Sequence, residues 1–110
     1  MSSYGAEKVE PGLGIYAASK SAVNGIMRAY AKELVSRKIR SNSIMPMMIR
    51  TELLSTLNNI SDKDWERQEA MYPLGFGSPL DVAYAAIYLF SDASRWITGT
   101  MIKMDGGSNL

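Results

Sequence analysis

The chain is 110 residues long and 46% hydrophobic, with twelve Lys and Arg against eleven Asp and Glu and a formal net charge of +1. That composition suits one small domain, residues 1–110, with enough apolar content for a core, and its mixed charges offer neither a basic nucleic-acid stripe nor an acidic tail. It has no Cys and no His, which excludes disulfides, thiolate nucleophiles, Ser-His and Cys-His triads and the usual zinc sites. No apolar run approaches the ~20 residues of a membrane span, and no charged-apolar-small signal segment opens the chain. The expectation is a soluble, cytoplasmic protein without nucleic-acid or membrane partners, whose chemistry rests on Tyr, Lys, Ser, Asn, Asp, Glu, Arg or a cofactor.

In chain order, Ser3 to Gly14 reads as a strand end and a loop carrying Glu7, Lys8 and Glu10. Tyr16 to about Arg37 is predicted helical: Ala17, Ala18, Ala22, Ala29 and Ala31 favour it, and Val23, Ile26, Met27, Tyr30 and Leu34 recur at three-to-four spacing. Small residues at 18, 22, 25 and 29 would admit another helix closely, and the larger apolar ones suit packing on a sheet equally well. Residues 40–45 form a short strand candidate bounded by Pro46. Leu53, Leu54 and Leu57 make a short apolar face, and Ser61 to Asp64 read as a cap before a helix over Trp65–Met71. Ser78, Pro79 and Asp81 make a strong helix start, followed by an apolar stripe to Phe90. The last strand candidate is 100–104, before Asp105-Gly106-Gly107. Strand, crossover helix, strand fits a parallel α/β layer.

Tyr16 and Lys20 stand one helical turn apart on one face. A free phenol is a poor proton donor or acceptor at neutral pH, and an ammonium within reach favours the phenolate and brings it toward catalytic use. The same spacing also describes an ordinary packing pair with a snorkelling lysine. Thirteen residues upstream, Ser3 offers a hydroxyl that could hold a substrate oxygen.

Ser2-Ser3, Pro11-Gly12-Leu13 and Tyr16-Ala-Ala-Ser-Lys20-Ser-Ala-Val23 together resemble the active-site segment of the classical short-chain dehydrogenases/reductases. The resemblance runs on through Asn42-Ser-Ile-Met-Pro46 to Thr51, through Pro73 to Ala83, and through Ile97-Thr98-Gly99 to Asp105-Gly106-Gly107. It is closest to the 3-oxoacyl-[acyl-carrier-protein] reductase type, and to the C-terminal half of it. What it implies is an α/β chain from a Rossmann-like, doubly wound parallel sheet whose N-terminal dinucleotide-binding half is absent. It implies Tyr16 as general acid or base, Lys20 as its partner and as a ligand of the nicotinamide ribose, and Ser3 as the residue positioning the carbonyl. Pro46, Met47, Ile49 and Thr51 would lie on the cofactor side, and Met48, Leu53 and Trp65 would line the substrate pocket. Leu54, Met71 and Tyr72 are further candidates for that lining. Thr51 reads equally well as a helix N-cap.

The implied cofactor is NADP or NAD, the substrate a small carbonyl or alcohol, and the assembly a homo-oligomer built through the Tyr16–Arg37 and Ser78–Phe90 helices. Met47 stands where the family usually has glycine, which raises the question of the local backbone geometry. No Gly-x-Gly-x-x-Gly turn occurs, so the phosphate cradle and the ribose-selecting residue would lie upstream. The alternative is a catalytically silent α/β piece that self-associates through its helices.

Overall fold

The computed structural model describes residues 1–52 and 61–110. Among these residues the helices are α1 (Gly14–Leu34), α2 (Asp62–Glu69) and α3 (Pro79–Phe90), and the strands β1 (Ser43–Pro46) and β2 (Met101–Met104). Single 3-10 turns cover Tyr4–Ala6, Val35–Arg37 and Asp92–Ser94. The chain is α/β, with β1 and β2 paired in parallel, Ser43 opposite Met101 and Pro46 opposite Met104.

The predicted helix from Tyr16 begins two residues earlier and ends three residues sooner. Lys38 takes a left-handed conformation (φ 58°) there, the Ile39 N–H reaches the Leu34 carbonyl at 3.2 Å, and the Lys38 N–H reaches that of Val35 at 2.9 Å. This is a Schellman closure with lysine where glycine is usual. The helix expected over Trp65–Met71 begins at Asp62, because Ser61 accepts from the Asp64 N–H and so opens it earlier. The helix expected from Ser78 is capped reciprocally: the Ser78 side chain accepts from the Asp81 N–H, and the Asp81 carboxylate accepts from the Ser78 N–H at 2.6 Å.

The first strand begins at Ser43 rather than near 40; before it a single backbone bond, from the Gly99 N–H to the Ser41 carbonyl at 2.7 Å, is supplemented by side chains. The Asn42 amide donates to the Ile97 carbonyl and accepts from the Thr100 N–H, both at 3.1 Å, while Thr98 Oγ1 accepts from the Ser41 N–H. Arg40 donates to the carbonyls of Leu89 and Ile97. Pro46 falls inside the strand. The Ser43 and Met47 N–H groups point to β2, at Thr100 O and Met104 O, so alternation sends residues 44 and 46 to the other edge, where a missing N–H costs no ladder bond to β2. On that edge the Ser2 N–H pairs with Ile44 O at 2.9 Å, and the strand end expected at Ser3 is instead the cap of the Tyr4–Ala6 turn.

Helix α1 lies on the face of β1 that carries Ser43 and Met45, held there by Asn24, and its Ala17, Met27 and Ala31 are buried. Helix α3 lies against Ile44 through Ala86 and Leu89, which share a cleft of about 540 Å³ with Arg40 and Phe90. This core is small. The surface measures 7834 Å², against roughly 6,000 Å² for a compact monomer of 12.1 kDa. Large apolar side chains stand exposed both on helices, where Ile15 is 91% and Phe90 88% exposed, and outside them, where Trp96 is 93% exposed; no residue of α3 is buried. On α1, Ile26 and Tyr30 are exposed, whereas Met27 is buried. One helical position, 100° of rotation, separates solvent from sheet.

Candidate active site

Tyr16 sits in the first turn of α1, half-exposed, and Lys20 one turn on, its ammonium 5.7 Å from the centre of the Tyr16 ring. That distance lies within reach of a cation–π contact. Ser3 reaches the same place from the edge of β1. It caps the Tyr4–Ala6 turn by accepting from the Gly5 N–H at 3.1 Å. A Cβ built on Gly5 would stand 3.2 Å from Tyr16 Cε1 and 3.4 Å from Ser3 Oγ. The serine hydroxyl and the tyrosine ring thus both lie beside Gly5, in space that the glycine leaves open. Chain order alone puts them thirteen residues apart, and it is the turn that brings them together.

The turn is fastened from several sides. Ser21, one position beyond Lys20, donates to the Ala6 carbonyl at 3.1 Å. Ser2 is buried; its N–H holds β1 and its hydroxyl donates to the Lys20 carbonyl at 3.1 Å. One turn after Lys20, buried Asn24 accepts from Ser43 Oγ at 3.0 Å and donates to Met45 Sδ at 3.6 Å. Tyr16, Lys20 and Asn24 occupy one face of α1, two at the site and one docked on β1. Ser2, Ser21 and Asn24 were not among the expected site residues. Only the i, i+4, i+8 spacing of Asn24 could have pointed to it.

After Pro46, the Met47 N–H extends the ladder to Met104 O, and Met47 Sδ accepts from the Ser108 hydroxyl at 3.4 Å. The backbone there needs no positive φ, since Lys38 is the one non-glycine residue with it among those described. Ile49 forms a parallel bridge with Gly77, where an added Cβ would lie 2.7 Å from Ile49 Cδ1. Glu69 ties the same region to α2: one carboxylate oxygen pairs with Arg50 at 2.6 Å and the other accepts from the Phe76 N–H at 3.2 Å. Thr51 is exposed, at the end of the first described run.

Of the expected pocket residues, Met48 lines a cleft of about 310 Å³ with Ile49, Tyr72, Phe76, Lys103 and Asp105. Trp65 is half-buried and packs edge-on against Phe76 at 5.7 Å, behind that cleft rather than in it. Met71 is 71% exposed and lies outside it, while Leu53 and Leu54 lie outside the described residues. Burial, with the charges of Glu10 and Asp105 added, raises the pKa of the Tyr72 phenol above the ordinary value. No group of acidic side chains suited to a metal occurs among the described residues, and no helix among them is long and apolar enough to cross a membrane.

A family model described as enoyl-(acyl carrier protein) reductase matches residues 1–109. A 3-oxoacyl-[acyl-carrier-protein] reductase from Thermotoga maritima is 42% identical over 98 residues, covering 88% of this chain and 39% of that protein. One from Bos taurus is 39% identical over 104 residues, covering 94% and 40%. Among solved structures, a short-chain type dehydrogenase/reductase from Mycobacterium ulcerans superposes with a TM-score of 0.86 at 36% identity, over 97% of this chain and 39% of that one. A 4-hydroxyisoleucine dehydrogenase complexed with NADH gives 0.88 at 34% identity, over 98% and 44%. The chain therefore spans about two-fifths of the length of the relatives it matches.

Proposed function

The chain belongs to the short-chain dehydrogenase/reductase family, and on that premise we propose that it is the catalytic half of an NAD(P)-dependent carbonyl reductase. The observation carrying this reading is the meeting of Ser3 and Tyr16 at Gly5 with the Lys20 ammonium beside the tyrosine ring. The bond from Gly5 uses a lone pair of Ser3 Oγ, so the hydroxyl proton remains for a substrate oxygen. In reduction Tyr16 Oη gives its proton to that oxygen; in oxidation it takes one back. Lys20 favours the negative charge that forms on the phenol after the proton leaves.

The nicotinamide, when bound, supplies or accepts the hydride. The residues present suit only its ribose–nicotinamide end. Tyr16 and Lys20 offer donors to ribose hydroxyls, and the loop from Pro46 through Met47 and Ile49 to Thr51 follows β1 at the same end of the sheet, where family members bind the ring. No Gly-x-Gly-x-x-Gly turn occurs in these 110 residues, and the reading takes the dinucleotide half to be supplied by a longer protein or a second chain. Met48 and Tyr72 would form part of the substrate wall, with Trp65 supporting Phe76 from behind. The relatives' names favour a 3-oxoacyl-type ketone, and the exposed apolar faces of α1 and α3 favour a homo-oligomeric assembly.

The test is cofactor oxidation with a ketone panel, using the 110-residue chain alone and an enzyme carrying the same segment behind a dinucleotide-binding half. The chain alone should give negligible turnover. In the longer enzyme Tyr16→Phe should lower kcat by roughly 10²- to 10⁴-fold, Lys20→Ala should impair both rate and cofactor binding, and Ser3→Ala should lower rate with little change in cofactor KM. Full activity of the Tyr16→Phe enzyme ends the proposal. The large exposed apolar surface of α1 and α3 favours a second reading, a silent self-associating piece, which predicts no turnover in either form.

A further inference from the structure

Lys103, on β2, lies 83 residues from Lys20 in sequence and lines one side of the Met48–Tyr72 cleft. Its ammonium stands 2.5 Å from a Glu7 carboxylate oxygen and 5.6 Å from the centre of the Tyr4 ring. Tyr4 is the first residue of the 3-10 turn that Ser3 caps, and Glu7 is the residue that closes it. One side chain thus grips both flanks of the turn whose middle residue, Gly5, donates to Ser3 Oγ.

The contact is more than a chance surface pair. Tyr4 is buried, so the ring that Lys103 covers is fixed. The hydrogen bond that the ammonium donates to Glu7 leads the effects that raise the proton affinity of this amine above lysine's ordinary value. The other ties on the turn run to α1 through Ser21 and to β1 through Ser2; Lys103 adds the link to β2. Without it the Glu7 end of the turn keeps the Ser21 bond to the Ala6 carbonyl and its local bonds to the Tyr4 carbonyl, from the N–H groups of Glu7 and Lys8, with no tie to β2 through Glu7.

We propose that Lys103 is a positioning residue for Ser3, holding the Tyr4–Ala6 turn through Glu7 and Tyr4 so that the serine hydroxyl stays beside Gly5 with the Tyr16 ring. The significance of Ser3 rests on the carbonyl-reductase reading above; the grip itself does not.

The deciding measurement is amide hydrogen exchange by NMR on the 110-residue chain, with Gly5 reporting the turn and Ala31, buried in α1, reporting the fold. Loss of one ion pair and one cation–π contact in Lys103→Met should speed Gly5 exchange roughly five- to tenfold with Ala31 unchanged. Lys103→Arg should stay within about twofold of the parent chain, because it can make both contacts. Unchanged Gly5 exchange in Lys103→Met, or Lys103→Arg as loose as Lys103→Met, overturns the proposal. If Lys103→Met also loses Ala31 protection, Glu7→Gln takes its place: it keeps lysine on the ring and should speed Gly5 roughly two- to threefold, and no change there overturns the proposal too. In an enzyme that turns over, Lys103→Met should lower kcat and spare cofactor KM. A loosened Gly5 with unaltered kcat would leave the grip standing and count against the catalytic reading of Ser3.

Discussion

Ser2 donates its hydroxyl to the carbonyl of Lys20 across 3.1 Å, joining residues 18 apart in sequence. The same serine pairs its N–H with Ile44 on β1. It thereby fixes the helix turn that carries Lys20 to the strand edge from which Ser3 emerges. Being buried, its hydroxyl has no water to fall back on.

Ser2→Ala should destabilise the chain by about 1 kcal/mol, the usual net worth of a buried hydrogen bond. The Lys20 carbonyl keeps its helical partner, so no acceptor is orphaned and the loss stays modest. Urea unfolding at constant m-value measures it, and a loss above about 3 kcal/mol would mean that Ser2 does more than this bond.

Asn24 and Ser43 make a sharper case, since both are buried and each satisfies the other. Asn24→Leu alone leaves the Ser43 hydroxyl without its acceptor and should cost about 1–3 kcal/mol. Adding Ser43→Ala removes the stranded group and should recover a large part of that loss. A double mutant whose destabilisation is simply the sum of the two singles would show that the pair is not coupled.

The α3 cap predicts a pH dependence. Hydrogen bonds from the Ser78 backbone and side chain hold the Asp81 carboxyl below its ordinary value. A depressed folded value means that its stabilisation is complete above the ordinary carboxylate range and fades as pH falls through the lowered one. The Tm difference between the parent chain and Asp81→Ala should therefore be largest near neutrality and shrink toward zero in acid. Ser78→Ala, which removes the other half of the box, should cost about 1 kcal/mol at pH 7.

Exposed helix faces predict association. Ile15, Ile26 and Tyr30 on α1 and Leu80, Tyr84, Ile87 and Phe90 on α3 are all more than half exposed, and apolar surface on that scale seeks a partner. Sedimentation of the purified chain at micromolar concentration should find a dimer or larger species. A folded monomer there would refute this.

The order and type of the elements were set locally, and so were legible in the sequence. Alanines with apolar residues at three-to-four spacing made α1, and Ser78-Pro79-Asp81 opened α3, because capping and helical periodicity act within one turn. The Tyr16–Lys20 pair was legible for the same reason: a helix places i and i+4 together whatever surrounds it. Where the chain had to meet itself from far away, sequence gave no purchase. β1 starts at Ser43, and just before it Asn42 bonds Ile97 and Thr100 across 55 and 58 residues. Trp65 went behind Phe76, and Met27 turned inward while Ile26 stayed out. Ser2, Asn24 and Lys103 acquire their roles only by contact with Lys20, Ser43 and Glu7. Local preferences fix what each segment is; only the packing of β1 and β2 against α1 decides which hydroxyls, amides and ammonium groups come within bonding distance.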